Sequence, residues 1–149
     1  MPANGRDPAG ATLRAAGQAA YNRAMKIALT SVYVDDPMKA YAFYTDVLGF
    51  IGRLHIPEAN LAIVVSAEEP DGAALLLEPN DHPIAAAYQA GIYQAELPAI
   101  VFGTSDIHAD YQRLTARGVV FRSEPAVTDW GTQAVFEDTC GNLIQLHQP

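Results

Sequence analysis

The stretch Ile27–Phe50, IALTSVYVDDPMKAYAFYTDVLGF, reads as a strand running directly into a helix. Ile27, Leu29, Val32 and Val34 are strand formers, and Tyr33 fits among them. Asp35-Asp36-Pro37 stops the strand and starts the helix: the Asp36 carboxylate can cap free backbone N–H groups, and Pro37 suits a first helical position, where a missing N–H costs nothing. Ala40, Phe43, Tyr44, Val47 and Leu48 then recur at helical spacing as one apolar stripe. Gly49 follows where a left-handed terminating residue is expected, and Phe50 opens a second strand.

Working outward, Phe50–Ile56 reads as a strand ended by Pro57, Leu61–Ser66 as a buried strand and Ala73–Glu78 as a fourth, after a turn at Glu68–Gly72. The order βαβββ then recurs. Ala99–Thr104 is a strand, Asp106 a cap, and Ile107, Tyr111, Leu114 and Gly118 a helical stripe; Val119–Arg122, Thr132–Glu137 and Leu143–His147 are strands. Asp36 matches Asp106 and Gly72 matches Gly141, an internal repeat of about 70 residues. The modules span about 26–79 and 98–148. A connector, 80–97, carries helical spacing at Ile84, Ala87, Tyr88 and Gly91 that Gly91 and Pro98 break.

Residues 1–24 differ: rich in Ala and Gly, they read as an N-terminal extension, poorly ordered or with a short helix over Ala15–Arg23, and Met25 is a plausible functional start. Of the 149 residues, 50% are hydrophobic, enough for a core without disulfide or metal staples. The single Cys140 precludes an internal disulfide and suits a cytoplasmic protein. The net charge is −8; Arg6, Arg14 and Arg23 against Asp7 give the first 24 residues +2, leaving −10 on the rest. So acidic a body excludes a nucleic-acid partner, and no apolar run is long enough for a membrane span. The acidity would favour a cationic ligand, although a solvated acidic surface that aids solubility is the plainer reading. No P-loop, dinucleotide glycine pattern or nucleophile-base motif is present.

Asp36–Phe50, DPMKAYAFYTDVLGF, and the closing Gly141–Gln148, GNLIQLHQ, resemble the signature segments of the vicinal oxygen chelate superfamily of glyoxalases, bleomycin resistance proteins and extradiol dioxygenases. Thr139 and Cys140 stand where that family's DPDGN turn has Pro and Asp. The resemblance, over about Lys26–His147, implies an α+β fold: two βαβββ modules forming curved mixed sheets around a cup-shaped cavity, with helices outside. It also implies a divalent metal held by one residue near the start of each module's first strand and one in the middle of each last strand. Carried over, those positions are Leu29, Leu76, Ala99 and Gln145. Three are aliphatic and Gln145 is a weak neutral donor, so no metal and no other cofactor is expected.

The resemblance places Leu29, Leu76, Ala99 and Gln145 at the cup, and alternation along each of their strands then brings Ser31, Tyr33, Glu78, Val101 and His147 to the same cavity, with Trp130 at a strand entrance able to stack on a ligand. This lining is apolar with a few polar points, the make-up of a small-molecule pocket. Glu78 and His147 are the candidates for acid–base chemistry, and Cys140, with no basic neighbour in sequence, is not expected to be a reactive thiol. The expected function is small-molecule binding, by sequestration and without metal, in a homodimer. The alternatives are a lyase, isomerase or dioxygenase using a divalent metal at a displaced site such as His55, Glu78 and His147, and a structural or regulatory protein with a vestigial cup.

Overall fold

The computed structural model describes residues 24–149; the expected short helix over Ala15–Arg23 lies outside the described residues. The opening strand β1 (Leu29–Val34) leads through Asp35-Asp36 into α1 (Pro37–Ala42). Asp36 Oδ1 accepts from the Met38 and Lys39 backbone N–H groups at 3.0 and 3.2 Å, the cap expected of it. The helix continues as a π turn over Phe43–Val47, where the Leu48 N–H reaches back to the Phe43 carbonyl at 3.1 Å. Gly49 ends it at φ +88°.

Strands β2 (Ile51–Ile56), β3 (Leu61–Val65) and β4 (Ala74–Pro79) complete a four-stranded sheet of order β1-β4-β3-β2. β1 and β4 are parallel and the other pairs antiparallel. After α2 (Pro83–Gln94), the second module repeats the plan with β5 (Ile100–Gly103), α3 (Ile107–Ala116), β6 (Ala126–Thr128), β7 (Gly131–Glu137) and β8 (Leu143–Gln148). Its sheet has the order β5-β8-β7-β6. This is the α+β, two-module βαβββ architecture expected from the repeat.

Two expectations are corrected. Val119–Arg122 is not the second module's second strand. It runs beside β7, with a bridge between Phe121 and Phe136 and the Arg122 N–H donating to the Val135 carbonyl at 2.8 Å, but Ser123-Glu124-Pro125 interrupts it. Pro125 has no N–H for a ladder, and pairing resumes only at β6. Gly91 does not break the connector helix either. The helix runs through to Gln94 and ends where Glu96 turns left-handed at φ +59°.

Alternation along the strands separates two faces in each module. In the first, Val32, Val34, Ala62, Val64, Leu75 and Leu77 pack with Ala40 and Tyr44 of the α1 region in one buried cluster. In the second, Ile107, Leu114, Ala134, Phe136, Ile144 and Leu146 form another. Full burial of a side chain such as Leu77 or Phe136 contributes ~1.5–3 kcal/mol. Ile100 and Phe102, on the helix side of β5, pack against both clusters, as do Phe43 and Leu48. The Phe102 ring lies 4.9 Å from Phe50 and 6.2 Å from Tyr44 between centroids. The modules are therefore joined through their helix-side faces, and their open sheet faces look away from each other. Each module of one chain is half a cup.

Candidate functional site

The register of the first sheet sets Leu29 beside Ala74, Ser31 beside Leu76 and Tyr33 beside Glu78. All lie on the face opposite the buried Val32, Val34, Leu75 and Leu77, and Leu29 is 49% exposed. Leu76 neighbours Ile63, which neighbours Leu54, so the apolar face continues across the sheet. In the second sheet Val101 lies beside Gln145, which lies beside Val135; Gly103, His147 and Gln133 form the next row. The Gln133 amide nitrogen is 3.5 Å from His147 Nδ1. Trp130 is 83% exposed in the turn between β6 and β7, on the same module.

The expected lining residues thus fall into two groups on two open faces. Leu29, Ser31, Tyr33, Leu76 and Glu78 are together, and Val101, Gln145 and His147 are together. Ala99 precedes β5, its N–H bonded to the Leu143 carbonyl at 2.8 Å, and it lines a cavity of about 200 Å³ with Ser31, Tyr33, Tyr88 and Ile92.

Leu29, Leu76, Ala99 and Gln145 do not fit a divalent ion: three carry no donor atom, and the amide of Gln145 is neutral. The displaced set is not assembled within the chain. His55 pairs with the buried Ala62 and stacks on Tyr41 at 4.2 Å, which puts it on the helix side of its sheet, whereas Glu78 is on the open side and His147 on the other module. No three His, Cys, Asp or Glu side chains cluster at metal-binding distance among the described residues.

Two features were not legible in sequence. The connector stripe Ile84, Ala87, Tyr88 and Gly91 is not the buried face of α2. Ile84 is 74% exposed and Tyr88 55%, while Ala85 and Gln89 on the other side are buried. An apolar stripe reads the same whether it faces a core or a ligand cavity, so only the packing of α2 distinguishes them. Tyr88 meets Tyr33 edge to face at 6.4 Å, and together with Glu78, Pro79, His82 and Ile84 the two rings line a cavity of about 490 Å³ at the end of the open face.

The second is a buried polar hub. Asp138 is fully buried and accepts four hydrogen bonds: Tyr44 Oη at 2.8 Å, the Cys140 and Asn142 N–H groups at 2.8 and 2.9 Å, and Asn142 Nδ2 at 2.8 Å. Asn142 Nδ2 also donates to the Tyr33 carbonyl at 2.7 Å. Gln89 Nε2 donates to the Tyr33 and Cys140 carbonyls at 2.9 and 3.0 Å and its Oε1 accepts from Asn80 at 2.7 Å. The Asp138–Asn142 turn, DTCGN, therefore latches β1, α1 and α2 to the second module. Burial pushes the Asp138 carboxyl above its ordinary range, against the opposing pull of its hydrogen bonds. Every lone pair that could accept a substrate proton is engaged, which makes the hub structural.

Cys140 belongs to the same turn. Burial, with Asp138 adding to it, pushes its thiol up to about 12, although Lys39 lies close enough to donate to the Thr139 carbonyl at 2.7 Å. Near neutral pH the group therefore stays a thiol, not the reactive thiolate. A disulfide-exchange reagent is expected to leave Cys140 untouched in the native protein and to react within minutes in urea, followed as released chromophore; native-state reaction at a free-thiol rate would contradict this burial.

Residues 26–146 match the profile of the Glyoxalase/Bleomycin resistance protein/Dioxygenase superfamily, and the chain belongs to it. It is 48% identical over 126 residues to the uncharacterized protein YurT of Bacillus subtilis (strain 168), a match covering 83% of this chain and 99% of YurT. Among solved structures it is similar to UcmS2, with a TM-score of 0.69 and 31% identity over 84% of this chain and 98% of UcmS2. It is also similar to TnmS3, described as an antibiotic binding protein from Streptomyces sp. CB03234, with a TM-score of 0.64 and 29% identity over 86% of this chain and 98% of TnmS3.

Proposed function

We propose that this protein binds a small organic molecule on its open sheet faces and sequesters it without metal chemistry. The observation that carries the reading is the open face of the first module: Leu29, Leu54 and Ile56 stay exposed on the same face as Ser31, Tyr33 and Glu78, an apolar bed with a few orienting polar groups. The aliphatic side chains at the family's metal positions support binding over metal-assisted catalysis, and the similarity to an antibiotic binding protein is consistent with it.

The cup is completed by a second copy. The two open faces of one chain look apart, so a partner chain's second module opposite the first module's open face would form a closed cavity and cover both exposed apolar surfaces. Sedimentation at micromolar concentration is expected to give twice the 16.0 kDa chain mass; a monomer alone would contradict the assembly.

Binding is tested by thermal shift against a panel of natural-product antibiotics and metabolites, with the ligand recovered for mass spectrometry. A saturating ligand at one hundred times its Kd stabilises by about 2.7 kcal/mol, a rise of several degrees in Tm. The expected result is a shift with the ligand recovered unchanged from protein carrying no stoichiometric metal by elemental analysis. A chemically altered ligand, or one equivalent of Zn, Ni, Mn or Fe, would overturn the sequestration reading.

A further inference from the structure

We propose that the cavity between the open face of the first module and α2 selects ligands bearing an organic ammonium group, held by Glu78 at the corner formed by Tyr33 and Tyr88. The inference rests on the small-molecule-binding reading and names the chemical class bound there. The cavity, about 490 Å³, is lined by Tyr33, Glu78 and Pro79 from the sheet and by His82, Ile84 and Tyr88 from the start of α2. Among the described residues, no Lys or Arg lines it and Glu78 has no ion pair. Every other lining side chain is aromatic, aliphatic or the His82 imidazole.

Two features point to a cation. Glu78 pairs in register with Tyr33, so its carboxylate rises from the sheet beside the Tyr33 ring. Tyr33 and Tyr88 meet edge to face at 75° with centroids 6.4 Å apart and both border the cavity, where an aromatic π face is negative. His82 uses Nδ1 to accept the Ile84 N–H at 3.1 Å as the cap of α2, so that nitrogen is engaged by the fold. A carboxylate beside two aromatic rings in a largely apolar cavity disfavours an anion and leaves a neutral ligand without a partner for the charge. An ammonium compensates the carboxylate and gains cation–π attraction, while the rest of the ligand covers Ile84 and Pro79. The strongly acidic body adds long-range attraction of the same sign.

The test compares three probes of one shape, biphenylmethyl-trimethylammonium, biphenylmethanol and biphenylacetate, titrated into the full chain by calorimetry at low ionic strength. The ammonium is expected to bind at least tenfold tighter than the alcohol and the acetate weakest. Glu78→Gln should reduce the preference for the ammonium over the alcohol to less than about twofold, and Tyr88→Ala should weaken the ammonium and the alcohol together. Melting curves of both variants report that they fold. Equal binding of ammonium and alcohol, a preference that survives Glu78→Gln, or binding of none of the three overturns the assignment. The antibiotic and metabolite panel separates the two readings: a panel ligand that still binds shows the cavity function standing and only the cation selectivity failing.

Discussion

Asp138→Ala is expected to lower the unfolding free energy by about 3 kcal/mol, the sum of several orphaned buried donors partly offset by relief of a buried charge. The Tyr44 hydroxyl, the Cys140 and Asn142 backbone N–H groups and the Asn142 amide all lose their acceptor at once. None of them reaches water, because Tyr44, Cys140 and Asn142 are themselves buried. The loss is a large share of the 5–15 kcal/mol that holds a typical domain. It also falls on the latch between modules, so the transition should broaden as cooperativity between them weakens. Tyr44→Phe removes one donor of four and is expected to cost about 1 kcal/mol. Urea denaturation of the two variants checks the order; an Asp138→Ala loss no greater than that of Tyr44→Phe would show that the hub is relaxed in solution.

The hub also carries a pH dependence of defined sign. The folded carboxyl of Asp138 titrates above its unfolded value, so between those two values the folded chain holds more protons than the unfolded one. Stability from this group is therefore greatest at acid pH and is lost as pH rises through the raised folded value. Stability measured against pH should fall through that window in the wild type. The slope contributed by this residue should vanish in Asp138→Asn, whose amide cannot ionise.

Gly131→Ala is expected to cost about 2–3 kcal/mol, from left-handed strain together with a clash that cannot relax. Gly131 has φ +126°, and a methyl group there would press on the Gln148 carbonyl oxygen and come within 3.0 Å of His147 Cε1. The carbonyl belongs to the edge of β8 opposite Thr132, so moving it breaks the β7–β8 ladder. The same residue forms the turn that presents Trp130, in which Thr128 Oγ1 accepts the Trp130 N–H at 3.2 Å and donates to the Gly131 carbonyl at 2.8 Å. Loss of stability should thus come with a change in Trp130 fluorescence, the only tryptophan in the chain. Gly49→Ala is the control: its φ of +88° carries backbone strain, but an added Cβ meets nothing within 4 Å, so its cost should be smaller.

The chain's own sequence determined the fold. Asp36-Pro37 and Asp106 cap helices, the stripe from Ala40 to Leu48 and that from Ile107 to Leu114 bury one face each, and strands alternate between buried and open sides. These are local properties, set by capping chemistry and by the periods of helix and strand, and so they are legible in a linear string. Alternation likewise put Ser31 and Tyr33 on the face of Leu29, and Glu78 on that of Leu76, once the family resemblance had placed Leu29 and Leu76. Tertiary structure alone decided three things. Val119–Arg122 yields its place in the sheet to Ala126–Thr128, because Pro125 interrupts the pairing and β7 is long enough to accept both segments. The α2 stripe of Ile84 and Tyr88 faces a cavity because Gln89, on the opposite side, is drawn inward by the Tyr33 and Cys140 carbonyls. The open faces look apart because Phe102 and Ile100 lock the modules through their helix sides. The last two depend on contacts between residues about 50 to 60 positions apart, and no local pattern encodes which of two apolar faces will find a partner.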